Sequence, residues 1–173
     1  MSIEDLKNSI RDIPDFPQKG VIFKDITPLL QNGKLFREAV DLLAEPYLEE
    51  PPELVAAIDA RGFIFGAALA YKLGVGLVPI RKEGKLPYHT RKASYDLEYG
   101  SATVEIHQDA IKEGERVLLV DDLLATGGTL AAAAELIRRH SARLIGIAVL
   151  IELDFLHGRE KLTDYPLFSL LHY

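Results

Sequence analysis

The strongest chemical signal in this sequence is the stretch Val117-Leu-Leu-Val-Asp-Asp-Leu-Leu-Ala-Thr-Gly-Gly-Thr129, in which a short apolar run leads into two carboxylates and a glycine turn. Two glycines let successive backbone N–H groups converge on one point, and the flanking threonines, Thr126 and Thr129, add hydroxyl donors. A helix that follows such a turn presents the positive end of its dipole to the same point. This combination is typical of a cradle for a phosphate monoester.

The two adjacent carboxylates, Asp121 and Asp122, indicate a second binding function. Like charges ~4 Å apart repel each other by roughly a few kcal/mol at an effective dielectric constant near 20, unless hydroxyl donors or a cation lie between them. A ribose diol with a metal ion nearby would supply both. The alternative is a strand-to-helix turn with an ordinary cap, which accounts for the glycines but not for the acidic pair.

Two other nucleotide-binding classes fit the sequence poorly. A P-loop requires Gly-Lys followed by Ser or Thr, and the Thr-Gly-Gly-Thr turn has no such continuation. The segment Gly74-Val-Gly-Leu-Val-Pro79 lacks the third glycine of a dinucleotide fingerprint. Dehydrogenase and P-loop NTPase activities are therefore disfavoured.

The composition is that of a globular protein. The chain has 173 residues, of which 48% are hydrophobic and 27% charged, and this predicts one domain over residues 1–173. The absence of cysteine excludes thiolate nucleophiles, zinc fingers, iron–sulfur clusters and a disulfide scaffold, and it favours a cytoplasmic location. The apolar runs are shorter than the ~18 residues that span a bilayer. The stretch MSIEDLKNSI has no apolar core, so we expect no secretory signal.

The charge balance limits the partners of the chain. Lys and Arg number 20 against 26 Asp and Glu, a net charge of -6, so we expect neither nucleic acid nor a membrane as a partner. Between Arg81 and Lys92, however, five basic residues accompany a single Glu. An anionic small molecule would therefore bind at a local concentration of positive charge.

Hydrophobic spacing predicts the elements that position these motifs. Apolar runs predict buried strands over residues 54–58, 75–80, 117–120 and 144–151, and two further strands, 95–99 and 101–107, flank Gly100. Helical spacing predicts helices over residues 3–10, 35–47, 63–73 and 129–140. Buried strands that alternate with helices form a mostly parallel α/β sheet covered on both faces, with its binding crevice at the carboxyl ends of the strands.

Taken together, the motifs resemble the type I phosphoribosyltransferases, whose signature is two acids followed within a few residues by Thr-Gly. The chain is most similar to their adenine-specific branch, the adenine phosphoribosyltransferases, and the similarity covers nearly the whole chain. The blocks that carry it are Pro14-Asp-Phe-Pro17, Gly20-Val-Ile-Phe-Lys-Asp-Ile-Thr27, Ala60-Arg-Gly-Phe-Ile-Phe-Gly66, Arg81-Lys82, Gly84-Lys-Leu-Pro87, Tyr95-Asp-Leu-Glu-Tyr-Gly100 and Phe168-Ser-Leu-Leu171.

The resemblance implies a fold, a reaction and a cofactor. The fold is the type I phosphoribosyltransferase fold, a twisted, mostly parallel sheet with helices on both faces and a flexible hood at about residues 82–100. The reaction, a step of purine salvage, converts adenine and 5-phosphoribosyl 1-pyrophosphate to AMP and pyrophosphate. It requires Mg²⁺, held mainly by the substrate near Asp121 and Asp122, and the enzyme is expected to be a homodimer.

The same resemblance implies the residues that bind phosphoribosyl pyrophosphate. It assigns the ribose hydroxyls and a catalytic role to Asp121 and Asp122, and it assigns the 5′-phosphate to the turn. The residues of that turn are Ala125, Thr126, Gly127, Gly128 and Thr129. Cations near the departing pyrophosphate stabilise its charge, and the basic residues implied here are Arg61, Arg81, Lys82 and Lys85. The alternative for these basic residues is a solvated, mobile segment.

The implied adenine site consists of the backbone of Ile22, the ring of Phe23 and the side chain of Leu153. An apolar slot with main-chain hydrogen bonds suits a purine, although an isolated Phe is more often part of a core. Many relatives that act on 6-oxopurines place a third Asp before the Thr-Gly, and this chain has Ala125 there. The resemblance gives the acid/base role to Glu98 instead, with an exposed strand residue as the alternative.

Two other functions stay open from the sequence. One is a phosphoribosyltransferase for another purine base. The other is a non-catalytic sensor of phosphoribosyl pyrophosphate, such as a transcriptional regulator, which requires a DNA-binding unit. No helix-turn-helix is evident before the first predicted sheet strand at residue 54, and the acidic balance does not suit DNA.

Overall fold

The computed structural model describes residues 2–97 and 99–173. The chain divides into two compact units, one up to Leu42 and one from Leu43 to Tyr173. The single domain over residues 1–173 stays a prediction. Within the described residues no helix is both long enough and apolar enough to cross a membrane.

The first unit begins with helix α1 (Ile3–Asn8), which has a complete N-terminal cap. The Ser2 hydroxyl accepts a hydrogen bond from the Asp5 N–H, and the Asp5 carboxylate accepts one from the Ser2 N–H. The predicted helix extended to residue 10, but α1 ends earlier because the next residues form a strand. The remaining elements are β1 (Arg11–Ile13), paired antiparallel with β2 (Phe23–Asp25), then α2 (Thr27–Gln31) and α3 (Gly33–Ala44), which runs into the second unit.

The second unit contains a seven-stranded sheet in the order β5-β6-β4-β3-β7-β8-β9. Strands β3, β4, β7, β8 and β9 pair in parallel, while β6 pairs antiparallel with both β4 and β5. The strand bounds are β3 (Leu54–Ile58), β4 (Gly76–Lys82), β5 (Thr90–Asp96), β6 (Ser101–His107), β7 (Arg116–Leu124), β8 (Arg143–Glu152) and β9 (Leu167–His172). The predicted mostly parallel α/β sheet is confirmed.

Helices α4 (Gly62–Leu73) and α5 (Gly128–Arg139) cover opposite faces of this sheet. Because side chains alternate along a strand, β3 serves both faces. Ala56 and Ile58 belong to the core that includes the apolar side of α5. Ala57 lies beneath α4, where a Cβ on Gly66 would collide with its side chain. The glycine therefore sets how closely α4 approaches the sheet.

Two parts of the sheet differ from the prediction. The strand predicted over residues 95–99 is observed as β5 (Thr90–Asp96), which forms a hairpin with β6 inside the region predicted as a hood. Among its residues only Ala93 is buried, so no apolar periodicity marked the strand, and its pairing with β6 defines it instead. Strand β9 (Leu167–His172) was not predicted, and neither were the short 3₁₀ turns 45–47, 154–156 and 158–162.

Candidate active site

A cavity of about 460 Å³ lies at the carboxyl ends of β3 and β7. It is lined by residues 58–61, Lys82, Tyr95 and residues 121–130. In a parallel sheet of this kind, ligands bind at the carboxyl ends of the strands. The cavity thus brings together the predicted phosphate turn, the Asp pair and two of the predicted basic residues.

The predicted phosphate turn connects β7 to α5 without a side-chain cap. Gly127 is the residue that precedes α5, it has φ of +86°, and as a glycine it has no side chain to cap that helix end. The first N–H groups of the 12-residue helix α5 lack intrahelical partners, and they lie in the cavity wall with the hydroxyl of Thr129.

Gly158 supports this turn from behind and was not found by sequence reasoning. A Cβ on Gly127 would lie 2.5 Å from the Gly158 carbonyl oxygen, so Gly127 is required by close packing as well as by its φ. A Cβ on Gly158 would lie 2.9 Å from Leu124 Cδ1 and 3.1 Å from the Gly127 nitrogen. The two glycines are adjacent in space, and a signal for this pairing is absent from the local sequence.

The Asp pair is held by short contacts at the end of β7. Asp121 Oδ1 accepts a hydrogen bond from the Asp122 N–H at 2.8 Å. Asp122 is 4% exposed, and its Oδ2 lies 2.8 Å from Arg61 Nε as an ion pair. That contact does not have hydrogen-bond geometry, and the buried Oδ2 accepts no hydrogen bond from any described residue. One buried carboxylate oxygen in the cavity therefore has an ion-pair partner but no hydrogen bond from the described residues.

Burial raises the pKa of both carboxyl groups in this pair. For Asp121 the pKa lies well above its ordinary value, because of burial first and the neighbouring charge of Asp122 second. For Asp122 burial also raises the pKa, although the Arg61 guanidinium acts in the opposite direction. For Asp121 the neighbouring carboxylate adds to burial, so a ligand that supplies hydroxyl donors or positive charge would favour the ionised pair.

The turn between β3 and α4 forms the opposite wall. It contains a cis peptide bond between Asp59 and Ala60. Arg61 follows, with its side chain 33% exposed at the cavity surface. A Cβ on Gly62 would lie 2.7 Å from Asp121 Oδ1, so only glycine lets this turn approach the Asp pair closely. The turn and the Asp pair therefore form one packed unit.

The other predicted basic residues take different positions. Lys82, at the end of β4, lines the cavity, whereas the described lining includes neither Arg81 nor Lys85. Arg81 Nε donates to the Asp59 carboxylate at 3.0 Å, and its Nη1 donates to the Lys85 carbonyl at 3.4 Å. Lys85 itself is exposed in the turn after β4. Arg81 thus connects this basic turn to the cavity wall through Asp59.

The predicted adenine residues are described unit by unit. In the first unit Ile22 is 57% exposed, and the ring of Phe23 packs edge-to-face on Phe16 with centroids 5.2 Å apart. In the second unit Leu153 is 8% exposed, directly after β8, and its N–H donates to the Leu124 carbonyl at 3.0 Å. Glu98, the predicted acid/base residue, lies outside the described residues.

Tyr95 also lines the cavity and was not among the predicted site residues. It belongs to β5, and a Cβ on Gly128 would lie 3.2 Å from Tyr95 Cδ2. The hairpin of β5 and β6 therefore reaches the first residue of α5. The block Tyr95–Gly100 could have indicated Tyr95, but the resemblance assigned a role only to Glu98 within it.

Comparisons with known proteins agree with this geometry. The profile of the phosphoribosyl transferase domain family matches residues 25–171. The adenine phosphoribosyltransferase of Nitrosococcus oceani is 57% identical over 171 residues, which cover 99% of this chain and 100% of that protein. The two proteins are thus similar from end to end.

Two solved structures are similar over the same length. The crystal structure of adenine phosphoribosyltransferase from Thermoanaerobacter pseudethanolicus has a TM-score of 0.97 and 51% identity, with 99% of this chain and 100% of that one covered. The enzyme from Saccharomyces cerevisiae has a TM-score of 0.92 and 43% identity, with 97% of each chain covered. That enzyme was crystallised with an imino-altritol bisphosphate and adenine.

Proposed function

This chain belongs to the phosphoribosyl transferase domain family, and from that premise we propose that it is an adenine phosphoribosyltransferase of purine salvage. The reaction breaks the bond between C1′ and the pyrophosphate oxygen of 5-phosphoribosyl 1-pyrophosphate and forms a bond from C1′ to N9 of adenine. The N9 proton is lost, and the products are AMP and pyrophosphate. The observation that carries the proposal is one cavity that joins the glycine turn before α5 to the Asp pair, one oxygen of which accepts no hydrogen bond from the described residues.

The glycine turn binds the 5′-phosphate of the substrate. The N–H groups at the start of α5 and the positive end of its dipole suit a dianion. Thr126 and Thr129 add hydroxyl donors in the same wall. Because these contacts are remote from C1′, they anchor the ribose while the bond at C1′ changes.

The Asp pair binds the ribose hydroxyls and stabilises positive charge at C1′. A diol supplies two O–H donors, and the Oδ2 of Asp122 has no hydrogen bond from the described residues. Donors to these oxygens favour the ionised form that burial disfavours. Two ionised carboxylates in the cavity then stabilise the positive charge that develops on the ribosyl group as pyrophosphate departs.

The residues fit Mg²⁺ as the cofactor. Carboxylate oxygens are preferred Mg²⁺ ligands, and the buried Oδ2 of Asp122 accepts no hydrogen bond from the described residues. Burial raises the pKa of both carboxyl groups, and a bound cation would favour their ionised forms. Asp121 and Asp122 would lie near the ion, which the substrate itself holds for the most part. Bound Mg²⁺ neutralises charge on the leaving pyrophosphate.

Positive side chains on the opposite wall attract the pyrophosphate. Arg61 and Lys82 line the cavity, and Arg61 has a planar guanidinium that suits bidentate contacts with phosphate oxygens. Arg81, in β4, and Lys85, in the turn after it, are outside the described cavity lining, so their part in the proposal is to attract the anion.

For the base, the proposal keeps the residues that the resemblance implies, which are the backbone of Ile22, the ring of Phe23 and the side chain of Leu153. Main-chain acceptors in an apolar slot prefer a 6-amino group over a 6-oxo group, because an unpaired buried polar group is costly. This preference separates the proposal from its alternatives and supplies its test.

The experiment is a panel of adenine, hypoxanthine and guanine, each offered with phosphoribosyl pyrophosphate and Mg²⁺ while nucleotide formation is followed by chromatography. We expect AMP to form with a kcat/KM at least about 10³-fold above that for the 6-oxopurines. Comparable turnover of hypoxanthine would assign the enzyme to another base. Binding of phosphoribosyl pyrophosphate without turnover of any base would identify a sensor.

Glu98 is proposed to accept the proton that adenine loses from N9. General base catalysis of this kind contributes about 10²- to 10⁴-fold. Glu98→Gln should therefore lower kcat at least ten-fold, while calorimetric titration gives an affinity for phosphoribosyl pyrophosphate within a few-fold of the parent. An unchanged kcat would mean that the proton leaves to water.

The proposal also includes a cytoplasmic homodimer. The cytoplasmic location rests on a chain without cysteine, and the dimer rests on the resemblance. Light scattering of the purified protein tests the dimer directly, and a mass of 19.2 kDa would identify a monomer.

A further inference from the structure

A buried carboxylate outside the proposed mechanism lies at the end of β8. Glu152 is 4% exposed, yet both of its oxygens are occupied. Arg159 donates from Nε to Oε1 at 3.0 Å and from Nη2 to Oε2 at 2.6 Å, the fork geometry that makes Arg–carboxylate pairs strong. The Ser169 hydroxyl, on β9, donates a further short hydrogen bond to Oε2.

This pair fixes a segment that has little regular structure of its own. The residues between Glu152 and Arg159 form a short 3₁₀ turn, and His157 has a left-handed backbone with φ of +54°. Arg159 also donates to the Leu167 carbonyl on β9 at 3.4 Å. The guanidinium therefore ties the far end of the segment to the ends of two sheet strands.

Gly158, next to Arg159, is the residue that supports the phosphate turn. Its carbonyl oxygen and Cα lie against Gly127 so closely that neither glycine can carry a side chain. Close-packed interiors transmit strain. A shift of Gly158 would therefore press on Gly127, the residue that precedes α5.

We infer that the Glu152–Arg159 ion pair is a positioning device for the phosphate turn, an inference that rests on the proposed function of that turn. The pair holds Gly158 against Gly127, and Gly127 in turn keeps the N–H groups at the start of α5 convergent. Glu152 and Arg159 are positioning residues, because they act on the substrate only through the turn.

The experiment compares Arg159→Met and Arg159→Lys with the parent enzyme. Methionine keeps much of the apolar stem and removes the charge, while lysine keeps the charge but cannot form the fork. We expect Arg159→Met to raise the KM for phosphoribosyl pyrophosphate at least five-fold, with kcat and the KM for adenine within three-fold. Arg159→Lys should give an intermediate KM.

This KM-against-kcat split distinguishes positioning from simple stabilisation. Loss of remote substrate binding raises KM and spares kcat, whereas partial unfolding lowers the active fraction and leaves KM unchanged. A KM for phosphoribosyl pyrophosphate that rises less than five-fold in folded Arg159→Met, with or without a lower Tm, overturns the inference.

Two further measurements keep the inference testable. Ribose 5-phosphate, titrated by calorimetry, probes the phosphate turn without turnover, so it separates failure of the pair from failure of the proposed reaction. Should Arg159→Met not fold, Ser169→Ala removes one hydrogen bond from the same carboxylate and should weaken ribose 5-phosphate binding at least two-fold. Unchanged binding in Ser169→Ala would then overturn the inference.

Arg116→Met serves as the matched control. Arg116 begins β7, at the other end of the sheet from the cavity, and its Nη1 lies 3.7 Å from the Glu53 carboxylate. The substitution also removes an Arg–Glu ion pair of the second unit. We expect both KM values within two-fold of the parent, and a raised KM for phosphoribosyl pyrophosphate in this variant would show that the effect is not specific to Arg159.

Discussion

Strands β7 and β8 are parallel neighbours, and each brings a buried carboxylate to its carboxyl end. On β8 the carboxylate of Glu152 receives the Arg159 fork and the Ser169 hydroxyl. On β7 the carboxylate of Asp122 has one ion pair, with Arg61, and an oxygen that accepts no hydrogen bond from the described residues. Asp121, beside it, adds a second negative charge to the same wall.

The two sites differ in the direction of their pKa shifts. Burial acts against ionisation of Glu152, but the hydrogen bonds from Arg159 and Ser169 outweigh it, so the pKa of Glu152 is lowered. For Asp121 and Asp122 burial prevails and the pKa values are raised. The Glu152 carboxylate, which accepts hydrogen bonds from Arg159 and Ser169, stabilises the fold. The Asp pair, whose ionisation burial disfavours, lowers stability and is available to a ligand.

The largest expected effect comes from removing both charges of the Asp pair. The double substitution Asp121→Asn and Asp122→Asn should lower kcat/KM by about 30- to 1000-fold, since it removes roughly 2 to 4 kcal/mol of preorganised electrostatic stabilisation. Carboxylate and amide are nearly isosteric, so the fold should persist. Steady-state kinetics and circular dichroism on the same preparation measure the two quantities.

Asp109→Asn is the control for this pair, because Asp109 is an exposed acid after β6. It should leave kcat/KM within two-fold of the parent. A well-folded double variant with the kcat/KM of the parent would mean that the Asp pair is structural, and the contrast with Glu152 would disappear.

The next effect tests the contact that joins the two sites. Gly127→Ala places a Cβ 2.5 Å from the Gly158 carbonyl and should raise the KM for phosphoribosyl pyrophosphate at least ten-fold. Gly74→Ala is the matched control, because Gly74 has φ of +70° and open space around it. Both variants carry left-handed strain of about 1 kcal/mol, so the control separates that strain from the effects of packing and of position in the phosphate turn. Equal KM values in the two variants would refute the role of the contact.

Third, substitutions at the two sites should change the stability of the protein in opposite directions. At pH 7 Asp121→Asn should raise Tm by roughly 2 to 4 °C, because it removes a buried charge that folding disfavours. Glu152→Gln should lower the free energy of unfolding by about 2 kcal/mol, less than a fully buried pair since Arg159 is about half exposed. Differential scanning calorimetry of both variants against the parent measures the signs.

The pH dependence follows from the direction of each pKa shift. Asp121 has a raised pKa, so its ionisation lowers the free energy of unfolding. This loss of stability is complete above the raised pKa and vanishes as the pH falls below the unfolded value of 3.8. Glu152 has a lowered pKa, so its contribution is complete above the unfolded value of 4.5 and is lost as the pH falls through the folded pKa. The Tm differences of Asp121→Asn and Glu152→Gln from the parent should therefore both shrink toward zero in acid. Tm shifts of the same sign in the two variants at pH 7 would contradict the comparison.

The smallest effect is expected at an ion pair in water. Glu53→Gln weakens the contact with Arg116, in which both side chains are nearly half exposed. Such pairs contribute about 0 to 1 kcal/mol, so the Tm should change by less than about 4 °C and the kinetics should not change. A larger loss of stability would show that exposure alone does not separate strong ion pairs from weak ones in this protein.

The sequence was sufficient to place the Asp pair and the glycine turn in one wall. The Asp pair and the Thr-Gly-Gly-Thr turn are contiguous, so one strand–turn–helix unit carries both into the same wall. Strand β3 has the predicted bounds because its apolar run is continuous, and α4 and α5 begin within one residue of their predicted starts. These features depend on neighbours within a few residues, which a sequence pattern records.

Strand pairing decided other features. Strand β5 was predicted about five residues late, because Thr90–Asp96 is mostly polar and is a strand through its ladder with β6. Tyr95 reaches the cavity for the same reason, since the hairpin brings it to Gly128. No alternation of apolar residues in the sequence indicated the bounds of β5 or the position of Tyr95 at the cavity.

The contact of Gly158 with Gly127 and the pairing of Glu152 with Arg159 follow from the tertiary structure and not from any local pattern. Gly158 lies far from Gly127 in the chain and meets it because β8 lies beside β7 in the sheet. Glu152 is distinguished from other acids only by the fork of Arg159 and by its burial. Propensity and periodicity act over a few residues, whereas close packing and the neutralisation of a buried charge depend on atoms that the order of the strands brings together.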